Sequence, residues 1–112
     1  IFLITGDLDQ ENEIKVIEKY PDLRCDILKV GHHGSKTSTA DQFVKSLKPQ
    51  YAIISVGLNN RYGHPNIETL RTLNANSIPY LMTSDKGMIK VVNMSKDKFC
   101  MSTKYGKILI RK

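Results

Sequence analysis

Three short runs of aliphatic and β-branched residues constrain the fold of this chain most strongly, because each is followed by a helical pattern. The runs lie at 1–5, 27–30 and 51–56. Runs of this length and composition are typical of buried strands. Strands that alternate with helices pair in parallel through right-handed crossovers. The chain up to about Leu73 is therefore predicted to form a βαβαβα unit.

The three helices of this unit carry their own start signals. These are Asp9 before a helix over 10–19, Ser38 or Thr39 before a helix over 40–47, and Pro65 at the first position of a helix that runs to about Leu73. Short polar side chains cap the first amide groups of a helix, and proline fits the first helical position because its missing N–H costs nothing there. In the third helix, Ile67, Leu70 and Leu73 have the spacing of a buried stripe.

The pattern changes after Ile78. Strand-like runs then follow one another at 79–83, 88–94, 98–103 and 107–110, with a turn signal at 85–87. The last three runs are separated by tight turns, which is typical of antiparallel strands. The predicted fold class is therefore α/β (α+β), with a βαβαβα unit followed by an antiparallel β meander.

The composition is that of one ordinary globular domain. The chain has 112 residues, of which 40% are hydrophobic and 25% charged. Cys25 and Cys100 belong to no CxxC motif and no Cys/His cluster, so we expect two buried thiols rather than a disulfide or a metal site. No run has the length of a membrane span, and no signal peptide is recognisable.

The net charge of +6 favours an anionic partner such as nucleic acid, although an ordinary basic surface is an equal alternative. Basic residues recur in the last part of the chain, at Lys90, Lys96, Lys98, Lys104, Lys107, Arg111 and Lys112. Such residues protect strand edges against aggregation, and contact with nucleic acid is the less favoured interpretation.

Residues with metal-binding and acid–base chemistry follow the first two strands. Gly6-Asp7 follows the first strand, and His32-His33-Gly34-Ser35 follows the second. The carboxyl ends of parallel strands meet at one edge of a sheet, so these residues are expected to form part of a site there. Adjacent histidines in an extended segment point to opposite sides, so one can bind a metal while the other faces a substrate. The alternatives are a turn aspartate and ordinary surface histidines.

The segment after the third strand adds groups that suit a phosphate. It contains Asn60, Arg61 and His64. An amide, a guanidinium and an imidazole hydrogen-bond phosphate oxygens well. The hydroxyl group of Ser35, with its neighbours up to Ser38, suits the same kind of anion. His64 precedes a proline, and capping of the third helix is the alternative role for it.

Three segments together resemble a known family. They are TGD at 5–7, DILKVGHHGSKTST at 26–39 and AIISVGLNNRYGHP at 52–65. They resemble the C-terminal metallo-β-lactamase-like domain of the ComEC family of DNA-uptake proteins, and also the related stand-alone hydrolases of that fold. The resemblance extends to about Gly87. It implies half of an αββα sandwich with a dinuclear metal site at one edge.

The resemblance also implies roles for individual residues. Asp7 would be a metal-bridging carboxylate and His33 a metal ligand, while His32 would bind or protonate the scissile phosphate. The residues that would bind the substrate are Ser35, Asn60, Arg61 and His64. The cofactors would be two divalent metal ions, zinc or manganese, and the reaction would be phosphodiester hydrolysis.

The chain departs from the family pattern in its histidines. It contains three, and none lies in an HxHxDH motif. The remaining ligands are expected upstream of Ile1, which makes residues 1–112 the C-terminal half of a domain and a fragment of a longer protein. Such a chain is expected to bind metal weakly or not at all and to lack activity. Its partners would be the upstream half of the domain, single-stranded DNA or another phosphoester, and a second copy of itself through an exposed sheet face.

Three hypotheses about function follow. In the first, the chain belongs to a metal-dependent nuclease or phosphodiesterase domain of a membrane-anchored ComEC-type protein that acts in DNA uptake. In the second, it belongs to a stand-alone cytoplasmic hydrolase of small esters or phosphoesters. In the third, it is a degenerate domain that binds DNA without catalysis.

Overall fold

The computed structural model of the protein describes residues 1–6, 8–31, 39–56 and 65–111, without the side chain of Asp85. Within these ranges the elements are, in order, β1 (Phe2–Ile4), α1 (Gln10–Lys19), β2 (Ile27–Lys29), α2 (Asp41–Leu47), β3 (Tyr51–Ile54), α3 (Ile67–Ala75), β4 (Tyr80–Met82), α4 (Thr83–Lys86), β5 (Lys90–Asn93), β6 (Lys98–Thr103) and β7 (Gly106–Arg111).

The first sheet is parallel and has the order β1-β2-β3-β4. Leu28 of β2 lies between Leu3 of β1 and Ala52 of β3 in the register. The alternation of strands and helices therefore produces the parallel unit that the sequence predicts. The run at 79–83 adds a fourth parallel strand, β4, beside β3.

The second sheet is antiparallel and has the order β5-β6-β7. Cys100 of β6 lies between Val92 of β5 and Leu109 of β7. This sheet confirms the predicted meander and, with the first sheet, the predicted mixed α/β fold class.

The two sheets stack, and the parallel sheet has a hydrophobic core on each face. Ile27 and Leu28 are adjacent in β2, and their side chains are 0% and 1% exposed. Neighbours in a strand point to opposite faces. Leu28 packs with the helices, through Phe43, Val44, Leu47 and Leu73. Ile27 packs with the antiparallel sheet, through Phe99, Met101 and Ile110.

The order of layers is therefore helices, parallel sheet and antiparallel sheet. Full burial of a side chain such as Ile27 or Leu28 contributes about 1.5–3 kcal/mol. A strand that is covered on both faces has no regular polar alternation, which explains why apolar Ile27 and Leu28 are adjacent in β2. This layering is compatible with half of an αββα sandwich.

The third helix starts later than predicted. It begins at Ile67, and the Asn66 side chain caps it by accepting a hydrogen bond from the Glu68 amide at 2.9 Å. Pro65 therefore precedes the helix instead of occupying its first position. The predicted stripe is also corrected at its first member, because Ile67 is 59% exposed, while Thr69 and Leu73, four residues apart, are the buried residues of the helix.

The predicted turn at 85–87 is also corrected. Residues Thr83–Lys86 form α4, and Gly87 ends this helix with a φ of +69°. A positive φ is accessible to glycine without a steric penalty, so the glycine marks the end of a helical turn.

Both cysteines are free and buried, as the sequence predicts. Burial raises the pKa of the Cys25 thiol to about 11, and the negative charge of Asp26 adds to this effect.

In the described part of the chain, no helix combines the length and the apolar character needed to cross a membrane.

Candidate functional site

The carboxyl ends of β1, β2 and β3 lie side by side at one edge of the parallel sheet. The chain continues from these three ends toward positions 7, 32–38 and 57–64, which carry the predicted site. All predicted site residues, namely Asp7, His32, His33, Ser35, Asn60, Arg61 and His64, lie outside the described residues. The structure therefore describes the framework on both sides of each segment.

A tight turn surrounds the position of Asp7. The Leu8 amide donates a hydrogen bond to the Thr5 carbonyl oxygen at 3.0 Å, and Gly6 has a φ of +56°. The Thr5 hydroxyl donates to the carbonyl oxygen of Lys29 at 2.9 Å. The turn that follows β1 is therefore tied to the last residue of β2.

Gly31 allows this turn to approach the end of β2 closely. A Cβ atom at Gly31 would lie 3.0 Å from the Leu8 carbonyl oxygen and 3.1 Å from the Thr5 hydroxyl oxygen. Both distances are shorter than an ordinary van der Waals contact, so only glycine fits here without a shift of its neighbours. The residues around Asp7 therefore pack against the residue that precedes His32.

Glu13 holds the other end of segment 32–38. Its side chain is 1% exposed, and its carboxylate accepts hydrogen bonds from the amides of Thr39 at 2.8 Å and Ala40 at 2.7 Å. These amides lie at the start of α2, where a helix leaves its first N–H groups without backbone partners. A carboxylate is also favoured at that end by the helix dipole. Helix α1 thus anchors the residues that directly follow the histidine segment.

This anchor replaces the local cap that the sequence predicts. The N-cap residue of α2 is Ala40, which makes no side-chain cap, and Ser38 lies outside the described residues. The assignment of Thr39 as cap is wrong, because its φ of +60° and its buried position place it before the helix with its amide on Glu13. The sequence signal for this anchoring role is the position of Glu13 four residues before Ile17, which puts a carboxylate on the inward face of α1.

Thr83 fixes the end of the third strand. Its hydroxyl accepts a hydrogen bond from the Val56 amide at 2.8 Å and lies 2.9 Å from the Val56 carbonyl oxygen, to which it donates. Val56 is the last described residue before segment 57–64. Thr83 begins α4, directly after β4, so the fourth strand positions the third segment.

Three polar segments thus leave one sheet edge, and side-chain hydrogen bonds fix their described ends. The edge beyond the carboxyl ends of parallel strands is the usual position of a ligand site in such sheets. Across the described ranges, which exclude the predicted ligands, no three histidine, cysteine, aspartate or glutamate side chains group in a way that could hold a metal.

The chain has relatives among known proteins. It is 47% identical over 89 residues to ComE operon protein 3 of Bacillus subtilis. These aligned residues make up 80% of this chain and 12% of the relative. It is 37% identical over 89 residues to Competence protein ComA of Neisseria gonorrhoeae, covering 79% of this chain and 13% of the relative. The chain is a homologue of competence proteins. Its similarity is to one segment of them, and it spans about one eighth of their length.

A further relative is Recombination protein 2 of Haemophilus influenzae, with 33% identity over 96 residues, 86% of this chain and 12% of the relative. No protein-family model matches the chain, and no solved structure does so either. The names of the relatives support a competence and DNA-uptake family for this chain, in agreement with the coarser part of the sequence prediction.

Proposed function

We propose that this chain is the C-terminal half of a metal-dependent hydrolase domain, of nuclease or phosphodiesterase type, in a ComEC-type protein that acts in DNA uptake. The observation that carries the proposal is the contact of Thr5 and Leu8 with Gly31, because Thr5 and Leu8 lie on either side of Asp7 in the sequence and Gly31 directly precedes His32. The similarity to competence proteins supports DNA as the substrate.

The length of the relatives favours this proposal over a stand-alone hydrolase. The chain matches 12–13% of each competence relative, so its counterparts there are segments of long proteins. A membrane-anchored parent is part of the proposal, and a cytoplasmic location belongs to the stand-alone alternative.

The donor set suits divalent metal ions. A carboxylate and a neutral imidazole, as Asp7 and His33 supply, are ligand types that zinc and manganese accept. Asp7 and His33 would hold two such ions together with ligands from an upstream HxHxDH segment. When bound, the ions supply an activated water and charge neutralisation at the phosphoryl group.

The other predicted residues act on the substrate. His32 would deliver a proton to the leaving oxygen, a role for which an imidazole is suited near neutral pH. Arg61 would hold two phosphate oxygens with its planar guanidinium group. Asn60, His64 and Ser35 would donate further hydrogen bonds to the same phosphate and fix its orientation.

The upstream half of the domain is the partner that this proposal requires. The outer face of the antiparallel sheet is partly apolar, since Val92 is 38% and Leu109 62% exposed. The other predicted partner is a second copy of the chain, which would form a homodimer through an exposed sheet face. The oligomeric state in solution tests this prediction.

Cleavage by a protein extended upstream of Ile1 tests the proposal. With Mn²⁺ or Zn²⁺, the extended protein should cut single-stranded DNA, and Asp7→Ala and His33→Ala should each lower the rate about a hundredfold or more, because a metal ligand is lost. Asp22→Ala is the control, since Asp22 is an exposed residue of a turn outside the sheet edge.

Two results would reject the proposal. Equal cleavage by the Asp7 and His33 variants would show that the site assignment is wrong. Binding of DNA without any cleavage by the extended protein would support a degenerate, non-catalytic domain instead.

A further inference from the structure

The turn between β6 and β7 carries an exposed aromatic ring with two cations close to it. Tyr105 is 66% exposed. The ammonium nitrogen atoms of Lys86 and Lys104 each lie 5.2 Å from the centre of its ring. This distance lies within the range of about 6 Å for a cation–π contact. The Tyr105 amide also donates to the Thr103 hydroxyl at 3.1 Å, which helps to fix the turn.

The position of Lys86 places this cluster near the edge at which the candidate site lies. Lys86 belongs to α4, which directly follows the carboxyl end of β4. Strand β4 is parallel to β3, with Met82 beside Ile54 in the register. The contact with Lys86 therefore places the ring of Tyr105 near the carboxyl end of β4, at the sheet edge where β2 and β3 also end.

A cavity of about 200 Å³ opens beside the ring. Its walls combine the apolar side chains of Leu81, Met101 and Ile108 with the polar side chains of Lys86, Tyr105 and Lys107. Apolar walls with a few polar groups are usual for sites that take a flat organic ring.

The lysines of this cluster remain without a negative partner in the described structure. Among the side chains that are described, the ion pairs involve the N-terminus, Lys15 and Lys45, and none involves Lys86, Lys104 or Lys107. Lys104 and Lys107 are also exposed. These charges therefore attract an anion to the ring and cavity.

We propose that Tyr105, with Lys86, Lys104 and Lys107, binds single-stranded nucleic acid. A base stacks on the exposed face of Tyr105 or enters the cavity beside it, and the lysines contact the adjoining phosphates. Proteins that bind single strands combine aromatic platforms and cations in this way. An acidic peptide would use the lysines but would leave the ring and the apolar walls without a role. This inference rests on the proposed function only for the cleavage of the strand after it has bound. Binding itself requires no metal ion.

Binding of a fluorescein-labelled oligothymidine to this chain in EDTA tests the proposal by fluorescence anisotropy. Tyr105→Leu should weaken binding about fivefold or more, because stacking is lost, and Tyr105→Phe should bind as the unchanged chain does. Tyr20→Leu is the matched control. Tyr20 is 54% exposed and has Lys19 over its ring at 5.6 Å, but it does not line the cavity beside Tyr105.

The lysines have a second readout in the salt dependence. Lys104→Gln and Lys107→Gln should each reduce the slope of log affinity against log salt concentration by about 0.7. Lys96→Gln should leave this slope unchanged, because Lys96 is exposed in the turn before β6, at the opposite end of this strand from Tyr105.

The proposal is overturned if the chain does not bind the oligonucleotide or if Tyr105→Leu binds no more weakly than Tyr20→Leu. It is also overturned if heparin competes and only the lysine variants weaken binding, because the surface would then select a polyanion by charge alone. Circular dichroism of each variant identifies a loss of folding. If Tyr105→Leu unfolds, unchanged salt slopes for both Lys104→Gln and Lys107→Gln still overturn the proposal. These measurements in EDTA are separate from cleavage by the extended protein, so either proposal can fail alone.

Discussion

Glu13 is a charged side chain in the interior of the molecule, and its hydrogen bonds explain its position. The carboxylate is 1% exposed and accepts from two backbone amides at the start of α2. A buried charge is costly unless it is hydrogen-bonded, and these two amides would otherwise be unpaired themselves. The side chain therefore serves the fold and fixes the residues after segment 32–38.

Replacement of Glu13 should be far more costly than replacement of its exposed neighbours. Glu13→Ala removes the acceptor of the buried Thr39 amide and the partly buried Ala40 amide, and should lower the free energy of unfolding by about 2–4 kcal/mol, measured by urea denaturation. Glu18→Ala on the exposed side of α1 is the control and should change it by less than about 0.5 kcal/mol. Equal effects of the two substitutions would contradict the anchoring role.

The end of β2 and the turn after β1 pack against each other without space for a side chain. This contact depends on Gly31, since an added Cβ would lie 3.0 Å from the backbone of Leu8. The described ends of the two strands are therefore held together by direct contact. The contact determines how the turn after β1 and the end of β2 pack together, and its effect extends beyond the environment of Gly31 alone.

Gly31→Ala should separate these strand ends. Its methyl group must displace the backbone of Leu8, which should cost about 1–3 kcal/mol of stability and reduce DNA cleavage by the extended protein. Gly87→Ala provides the comparison, because a Cβ there meets no atom within 4 Å and only its positive φ is unfavourable. If both variants cleave DNA equally well at equal stability, the contact does not position the site.

Local signals determined which elements could be predicted from the sequence. Asp9 caps α1 through the Asn12 amide at 3.0 Å, and the helix spans Gln10–Lys19, as predicted. The sequence predicts helix α2 over 40–47 and the helix spans Asp41–Leu47, but its cap could not be predicted in this way, because it comes from Glu13 in another helix. The hydrogen bonds of Thr83 with Val56 are equally non-local. The predicted site residues lie outside the described structure, so their assignment stays a prediction.

The whole molecule is a stack of helices, a parallel sheet and an antiparallel sheet. The residue patterns predict the two sheets separately, and the family resemblance, which implies half of an αββα sandwich, predicts that they stack. The patterns alone do not show which faces meet, because that contact depends on complementary apolar surfaces such as those of Ile27 and Phe99. The outer face of the antiparallel sheet carries exposed apolar side chains such as Leu109, which is 62% exposed, and the contact of an exposed sheet face with an upstream half or a second copy stays a prediction.

At this scale, the central claim is that the chain supplies one half of a dinuclear metal site. Asp7 and His33 provide too few ligands to hold two ions alone, because a divalent ion such as zinc takes about four. Under the proposal, ligands from a segment upstream of Ile1 would complete the set.

Calorimetric titration of Mn²⁺ or Zn²⁺ into the chain and into the protein extended upstream tests this claim most directly. We predict two ions per molecule of the extended protein, weak or absent binding to the chain of 112 residues, and loss of tight binding in the extended protein with Asp7→Ala. Tight binding of two ions by the chain alone, or an Asp7→Ala extended protein that still binds two ions, would contradict it.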